Sequence, residues 1–337
     1  MNRTTRSPRT ERKATDRRNI VRLGALLVSA LIFSACSSGS NSAPATTVVA
    51  TTAAPAAPAQ LDCGDPVASY QPTFALPAPG QMPSDTYLKT IQDRGHLIVG
   101  TASDVLQFSY RNPLTGELAG FDIDVAHAIA KAIFGDPNKI EYKIINYAQR
   151  IPSILDGSVD IVADTMTINC NRWAQIAFST EYYHAGQKVL VRQDSPATTI
   201  DAVDKLGGQR ICVAKGSTNL DNIKPYTGIT RVEVDDLTDC LVLFQQGAAD
   251  GISADDTVLA GFAKQDPYAK VIGDAFTNEP YGIGSSLAHP ELTEFINLVF
   301  EQMRSDGTFT ALNKTWIDPT KTVDPPKAVY GRKPVTS

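Results

Sequence analysis

Two arginines, a pair of adjacent aspartates and a set of hydroxyl side chains give this chain the means to hold a small charged molecule. Arg172 can grip a carboxylate with two parallel charge-assisted hydrogen bonds, a planar geometry that a lysine cannot offer. Asp255 or Asp256 can receive an ammonium group. Thr165, Thr167, Ser217 and Thr218 supply hydroxyls and backbone amides. Taken singly, each has a plainer reading. Arg172 alone is a solvated helix residue, Asp255-Asp256 an acidic helix start favoured by the dipole, and Gly216-Ser217-Thr218 a turn. No C-x-x-C spacing and no His/Cys cluster is present, so neither a metal site nor a cofactor is expected. No nucleophile, base and orienting group stand in a pattern that would mark an enzyme.

The chain has 337 residues, enough for two domains, and is 42% hydrophobic and 20% charged. Its charge is unevenly placed. Before Leu23 stand eight basic and two acidic residues; the remainder holds 23 basic and 34 acidic ones, a net charge of −11. An acidic body argues against nucleic acid as a partner, since phosphate binding needs a basic surface. The basic start followed by the uncharged run Leu23 to Ala35 has the form of a secretory signal, too short to span a bilayer with ease. It ends in Phe33-Ser34-Ala35-Cys36, which resembles a bacterial lipobox with Cys36 as the lipidated residue. Acylation with more than one chain makes such anchoring durable. Residues 36–60 after this 1–35 signal carry no charge and are rich in Ser, Ala, Thr and Pro, the composition of a flexible stalk. The expected product is a cell-membrane lipoprotein facing the extracytoplasmic space.

Four further cysteines in an exported domain suggest disulfides and permit three pairings. Cys212 lies in an apolar run and Cys240 begins another nearby, which favours Cys212–Cys240 and leaves Cys63–Cys170.

From about Asp85 strand-like and helix-like segments alternate, which predicts an α/β fold with a mostly parallel sheet. His96 to Val99 reads as a strand, and Phe121 to Phe134 as a helix with Val125, Ile129 and Ile133 on one stripe. Lys139 to Ile145 is a strand, Ile151 to Leu155 a short helix and Asp160 to Ala163 a buried strand. The pattern restarts after a break at Asp194 to Thr199, with strands at Arg210 to Ala214, Thr230 to Val234, Gly251 to Ala254 and Lys270 to Gly273. Helices follow at Pro290 to Arg304 and through Phe309 to Trp316. Two such units with a returning chain imply two lobes: 85–192 and 278–317 in the first, 193–277 in the second. A leading segment 61–84 precedes them and an extended tail 318–337 follows. Hinge crossings are expected near Arg192 and Thr277, with the ligand in the cleft beyond the strands' carboxyl ends.

Specific residues then stand in a characteristic order: Gly95-His-Leu-Ile-Val-Gly-Thr101, Gly120-Phe-Asp-Ile-Asp124 and Arg150-Ile-Pro-Ser-Ile-Leu-Asp-Gly157. Thr165-Met-Thr-Ile-Asn-Cys-Asn-Arg172, Phe178-Ser-Thr-Glu-Tyr-Tyr183, Lys215-Gly-Ser-Thr218, Ala254-Asp-Asp256 and Tyr281-Gly-Ile283 continue it. Over roughly residues 85–317 this closely resembles the polar amino-acid class of extracellular solute-binding proteins that serve ABC importers, family 3. The resemblance implies a type II periplasmic-binding-protein fold, no enzymatic activity, and a free amino acid as ligand. By it, Arg172 holds the α-carboxylate, Asp255 (or Asp256, one position on) the ammonium, and Thr165 and Thr167 contribute first-lobe hydrogen bonds. Ser217 and Thr218 lend backbone amides to the carboxylate, Arg150 resembles the arginine that meets a distal carboxylate, and Tyr147 covers the ligand's methylenes. Phe108 keeps an aromatic position, and Lys215 stands one residue beyond a position that is often basic. Glutamate or aspartate is the ligand these matches favour, with glutamine and asparagine tolerated.

One departure bears on that expectation. Ala102 stands where the family often has Asp or Arg after the first strand, and Asp104 and Gln107 lie close enough in sequence to replace the contact. The partner implied is a membrane ABC permease or a membrane-bound nutrient sensor. The contrasting reading is an enzyme on the same scaffold, a cyclohexadienyl-type dehydratase, with Glu181 or His184 as its acid.

Overall fold

The computed structural model describes residues 62–334. The expected signal segment, the expected lipidation at Cys36 and the expected stalk therefore lie outside the described residues. Among those described, no helix is long and apolar enough to cross a membrane.

The first lobe is built on a five-stranded sheet. Leu97–Thr101 lies between Ile140–Ile144 and Ile161–Val162, parallel to both, and Gly284–Ser285 then pairs antiparallel with Ile161–Val162 and Ala177–Phe178. The second lobe repeats the plan. Gln209–Ala214 is parallel to Ile229–Val234 and Gly251–Asp255, and Gln187–Arg192 runs antiparallel between Gly251–Asp255 and Ala269–Ile272. The strand 187–192 is thus an interior strand of the second sheet, paired on both sides, and lies beyond the crossing rather than ahead of it. The crossings are Tyr183–Ala185 and Glu279–Tyr281, which pair antiparallel as a two-stranded ribbon between the sheets.

The helix Phe121–Phe134 shows how the core forms. Val125, Ile129 and Ile133 are fully buried along one stripe, as the 3.6-residue period dictates. Gly120 before it has φ +133°, and a Cβ there would lie 2.1 Å from the Phe108 carbonyl oxygen. Glycine alone fits this entry, and it places the helix start beside the cleft. After the closing helices Pro290–Ser305 and Thr308–Trp316, the tail folds back over the first lobe. Its strand Tyr330–Arg332 pairs parallel with Ser69–Tyr70 of the leading segment. The structure holds the disulfides Cys63–Cys170 and Cys212–Cys240, each with Cα atoms 5.4 Å apart.

Candidate ligand cleft between the lobes

The lobes are closed on one another. Gly216 of the second lobe rests on the first-lobe backbone at Ala148: a Cβ at 216 would come within 2.5 Å of the Ala148 Cα. Its φ of +72° also belongs to the region that glycine enters freely. Both arginines reach its carbonyl oxygen, Arg150 through Nη2 at 3.3 Å and Arg172 through Nη2 at 3.2 Å.

Arg172 lies on the short helix Cys170–Trp173, whose start is capped by the Asn169 side chain accepting the Arg172 amide at 2.9 Å. Its Nη1 donates to the Thr167 carbonyl at 2.6 Å. Burial first and the neighbouring Arg150 second lower its pKa to about 9, against Glu279 and Asp255. Arg150 opens the helix Arg150–Leu155, a poor dipole position for a cation, yet its guanidinium turns back. It donates to the carbonyls of Tyr147 at 3.2 Å and Asp164 at 2.9 Å, and stacks 4.1 Å from the Tyr147 ring centre. That fold-back is the reason for an arginine where the helix dipole disfavours one.

Thr165 is a β-branched residue at φ +41°, a conformation that carries real strain and here sits at the cleft. It is held from two sides. Its amide donates to Asp122 Oδ2 at 2.8 Å, and its hydroxyl lies 3.1 Å from the Tyr147 hydroxyl. Asp122, in the first turn of the 121–134 helix, is fully buried. Burial raises its pKa to about 6 despite the hydrogen bonds from Tyr182 and Thr165.

Across the cleft, Asp255 ends the strand Gly251–Asp255 and is buried. Its oxygens accept from Asn219 Nδ2 at 2.7 Å and the Tyr281 hydroxyl at 2.6 Å. Burial and then Glu279 push its pKa up to about 7. Asp256 instead begins the helix Asp256–Gln265, with its carboxylate accepting the Thr257 amide at 2.8 Å, so Asp255 is the inward member of the pair. Ser217 spends its hydroxyl on the Ala214 carbonyl at 2.6 Å and on capping the Leu220 amide at 3.2 Å. Its helix, Thr218–Asn222, leaves first-turn amides without intrahelical acceptors.

Glu279 was not among the expected site residues. Its Oε2 accepts Thr167 Oγ1 of the first lobe and Thr218 Oγ1 of the second, each at 2.7 Å; Oε1 accepts Thr277 Oγ1 at 2.6 Å and Asn222 Nδ2 at 2.9 Å. A buried carboxylate on a hinge strand thus links both lobes. The sequence signal was slight: one glutamate before Pro280 at the head of an apolar run.

Other expected residues fall elsewhere. Lys215 is exposed and pairs with Asp235 at 2.9 Å on the second lobe's surface, because the chain turns at Gly216 and sends the two side chains apart. Phe108 is fully buried, edge-on to Tyr183 at 5.1 Å and Tyr281 at 5.7 Å beneath the hinge. Asp104 accepts the amide and hydroxyl of Thr238 at 3.2 and 3.0 Å, and Gln107 donates to the Trp316 carbonyl at 2.6 Å. Glu181 and His184 pair with each other at 2.7 Å and line a separate cavity of about 560 Å³ under the tail. Among the described residues no acidic, His and Cys groups gather that could hold a metal.

The cleft is therefore a recognition site of opposed charges. Two buried guanidiniums stand on the first-lobe side, and a buried carboxylate with helix-start amides on the second. Residues 97–319 match the family model for bacterial extracellular solute-binding proteins, family 3. The chain belongs to that family. It is 40% identical over 200 residues to the glutamine-binding protein of Geobacillus stearothermophilus, covering 59% of this chain and 76% of the relative. It is 33% identical over 240 residues to the glutamate-binding protein GluB of Corynebacterium glutamicum, covering 68% and 80%. The solved structure of an ancestral arginine-binding protein bound to glutamine matches with a TM-score of 0.62 at 32% identity, covering 67% of this chain and 99% of that one.

Proposed function

We propose that this protein is a lipid-anchored receptor for a free polar amino acid, glutamate or aspartate first and their amides second. In this reading Cys36 carries the lipid, and the closed receptor presents its ligand to a membrane ABC permease or a membrane-bound sensor. The observation that carries the ligand class is the convergence of Arg150 and Arg172 on one carbonyl at 3.3 and 3.2 Å, opposite Asp255. Two buried cations placed together repel. A ligand with two carboxylates and one ammonium relieves that repulsion and pairs Asp255 as well. Arg172 takes the α-carboxylate, Arg150 the distal one, and the ammonium lies against Asp255 and the threonine hydroxyls. The names of relatives that bind glutamine and glutamate support the same class.

A thermal-shift panel of the twenty amino acids against the purified protein tests it. A ligand at 100 times its Kd stabilises the fold by about 2.7 kcal/mol, a rise of several degrees at this size. Glutamate or aspartate is expected to give that rise, and Arg172→Ala to abolish it. A response confined to basic or apolar amino acids would sink the acidic reading and leave the family intact.

A further inference from the structure

Asp164 is fully buried, and neither oxygen of its carboxylate has a hydrogen-bond partner among the described residues. A buried carboxyl left unpaired is costly, and proteins keep few of them. Its surroundings are the first-lobe side of the cleft. Its own carbonyl receives Arg150 Nη1 at 2.9 Å, and Thr165, the next residue, is the one held at positive φ. The Ala102 amide favours its charged form without meeting hydrogen-bond geometry, which places the carboxyl beside the residue whose own side chain is too short to reach a ligand. Asp104 spends Oδ2 on Thr238 and Gln107 its amide on the Trp316 carbonyl, whereas Asp164 spends neither carboxyl oxygen.

We propose that Asp164 is a specificity-determining residue: in place of the side chain absent at Ala102, its carboxyl donates a hydrogen bond to the distal group of the bound amino acid. This rests on the amino-acid receptor reading. A carboxylic acid in its neutral form donates to a distal carboxylate or to an amide oxygen alike. Once ionised, it repels the carboxylate and still accepts from an amide NH₂. Burial pushes Asp164 up to about 8, with Asp122 and Asp104 adding to the rise and Arg150 opposing it. The protein thus accepts both ligands at neutral pH and turns toward the amide as pH rises.

The groups facing Asp164 come from several elements: Arg150 and Tyr147 from the 147–155 turn and helix, Asp122 from the 121–134 helix, Asp104 from the arm after the first strand, and Tyr182 before the hinge. Asp122, near 6, is already ionised above neutral pH, and both tyrosines are held well above 10. Asp255, Arg172 and the ligand's ammonium act equally on glutamate and glutamine, so they cancel in a ratio of affinities.

The test is the ratio Kd(glutamate)/Kd(glutamine), measured by calorimetry from pH 6.5 to 9 in the wild type, Asp164→Asn and Asp164→Ala. In the wild type the ratio is expected to rise about tenfold between pH 7 and 9, following the loss of the neutral acid. In both variants it is expected to be flat. A flat wild-type ratio, or the same slope in Asp164→Asn, overturns the proposal while binding of either ligand leaves the receptor reading standing. Should neither variant fold, the wild-type slope alone decides. Absence of binding by both ligands in the wild type overturns the reading and the proposal together.

Discussion

Asp255 illustrates how a single buried group sets the conditions for binding. Its pKa of about 7 comes from burial and Glu279, and an ammonium partner favours its ionised form. Binding therefore lowers that pKa. A group lowered by binding contributes affinity that is complete above its free value, near 7, and is lost as pH falls through it, by up to tenfold per unit. Kd for glutamine, which Asp164 accommodates in either protonation state, is expected to be nearly level from pH 7.5 to 8 and to rise as pH drops to 5.5. Asp255→Asn is expected to bind weakly throughout with no such step, and an equal step in that variant would reassign the titration to Asp122. Arg172, Asp255 and the two threonines stood out in the sequence through their place in an ordered series of family-like motifs, and the structure brings all four to the cleft. Spacing could not place Lys215, Asp104 and Gln107, because neighbours in sequence diverge at a tight turn or an arm. Glu279 carried only a slight signal and Asp164 none, since their weight comes from burial and from missing or shared partners, which spacing does not encode.

Elements with a strong period were readable almost to the residue: the helix expected over 121–134 is Phe121–Phe134, and that over 290–304 is Pro290–Ser305. The hinge was not. Tyr183–Ala185 and Glu279–Tyr281 are three residues each, too short for a pattern, and their strand character comes from pairing with each other and from a bridge between Tyr281 and Thr167. The turn at Gly216 is where element geometry meets function, because its lack of a Cβ permits the approach to Ala148 on closure. Gly216→Ala adds a methyl 2.5 Å from a backbone atom at a φ that alanine avoids. The open form bears only the backbone cost, about 1–2 kcal/mol, whereas the closed form bears the clash as well. Ligand affinity is expected to fall at least tenfold, with a loss of only a few degrees in the Tm of the unliganded protein. Unchanged affinity would mean that closure does not bring 216 and 148 together.

At the scale of the whole molecule, the two ends of the described chain meet on the helix that carries Arg172. Cys63 is bonded to Cys170, Trp173 Nε1 donates to the Pro66 carbonyl at 2.8 Å, and the Arg332 guanidinium lies 4.1 Å from the Trp173 ring centre. Arg332 also donates to the carbonyls of Ala68 at 2.9 Å and Asp65 at 3.0 Å, while Tyr330 donates to Glu301 at 2.7 Å. The tail, which the sequence marked only as extended, is thus a strap on the first lobe. Its composition hid this, because a three-residue strand among prolines and lysines has no period of its own. Each such hydrogen bond is worth about 0.5–1.5 kcal/mol net, so the strap as a whole contributes a few kcal/mol. Truncation after Asp318 is expected to lower the Tm by several degrees, since about 1 kcal/mol shifts a protein of this size by 2–4 °C. Among the described tail residues no hydrogen bond or ring contact reaches Arg172, Asp255 or Glu279 directly, so the added stabilisation from a saturating ligand is expected to persist. If the truncated protein keeps its Tm but no longer shows the ligand-induced shift, the strap belongs to the binding cycle rather than to the stability of the first lobe.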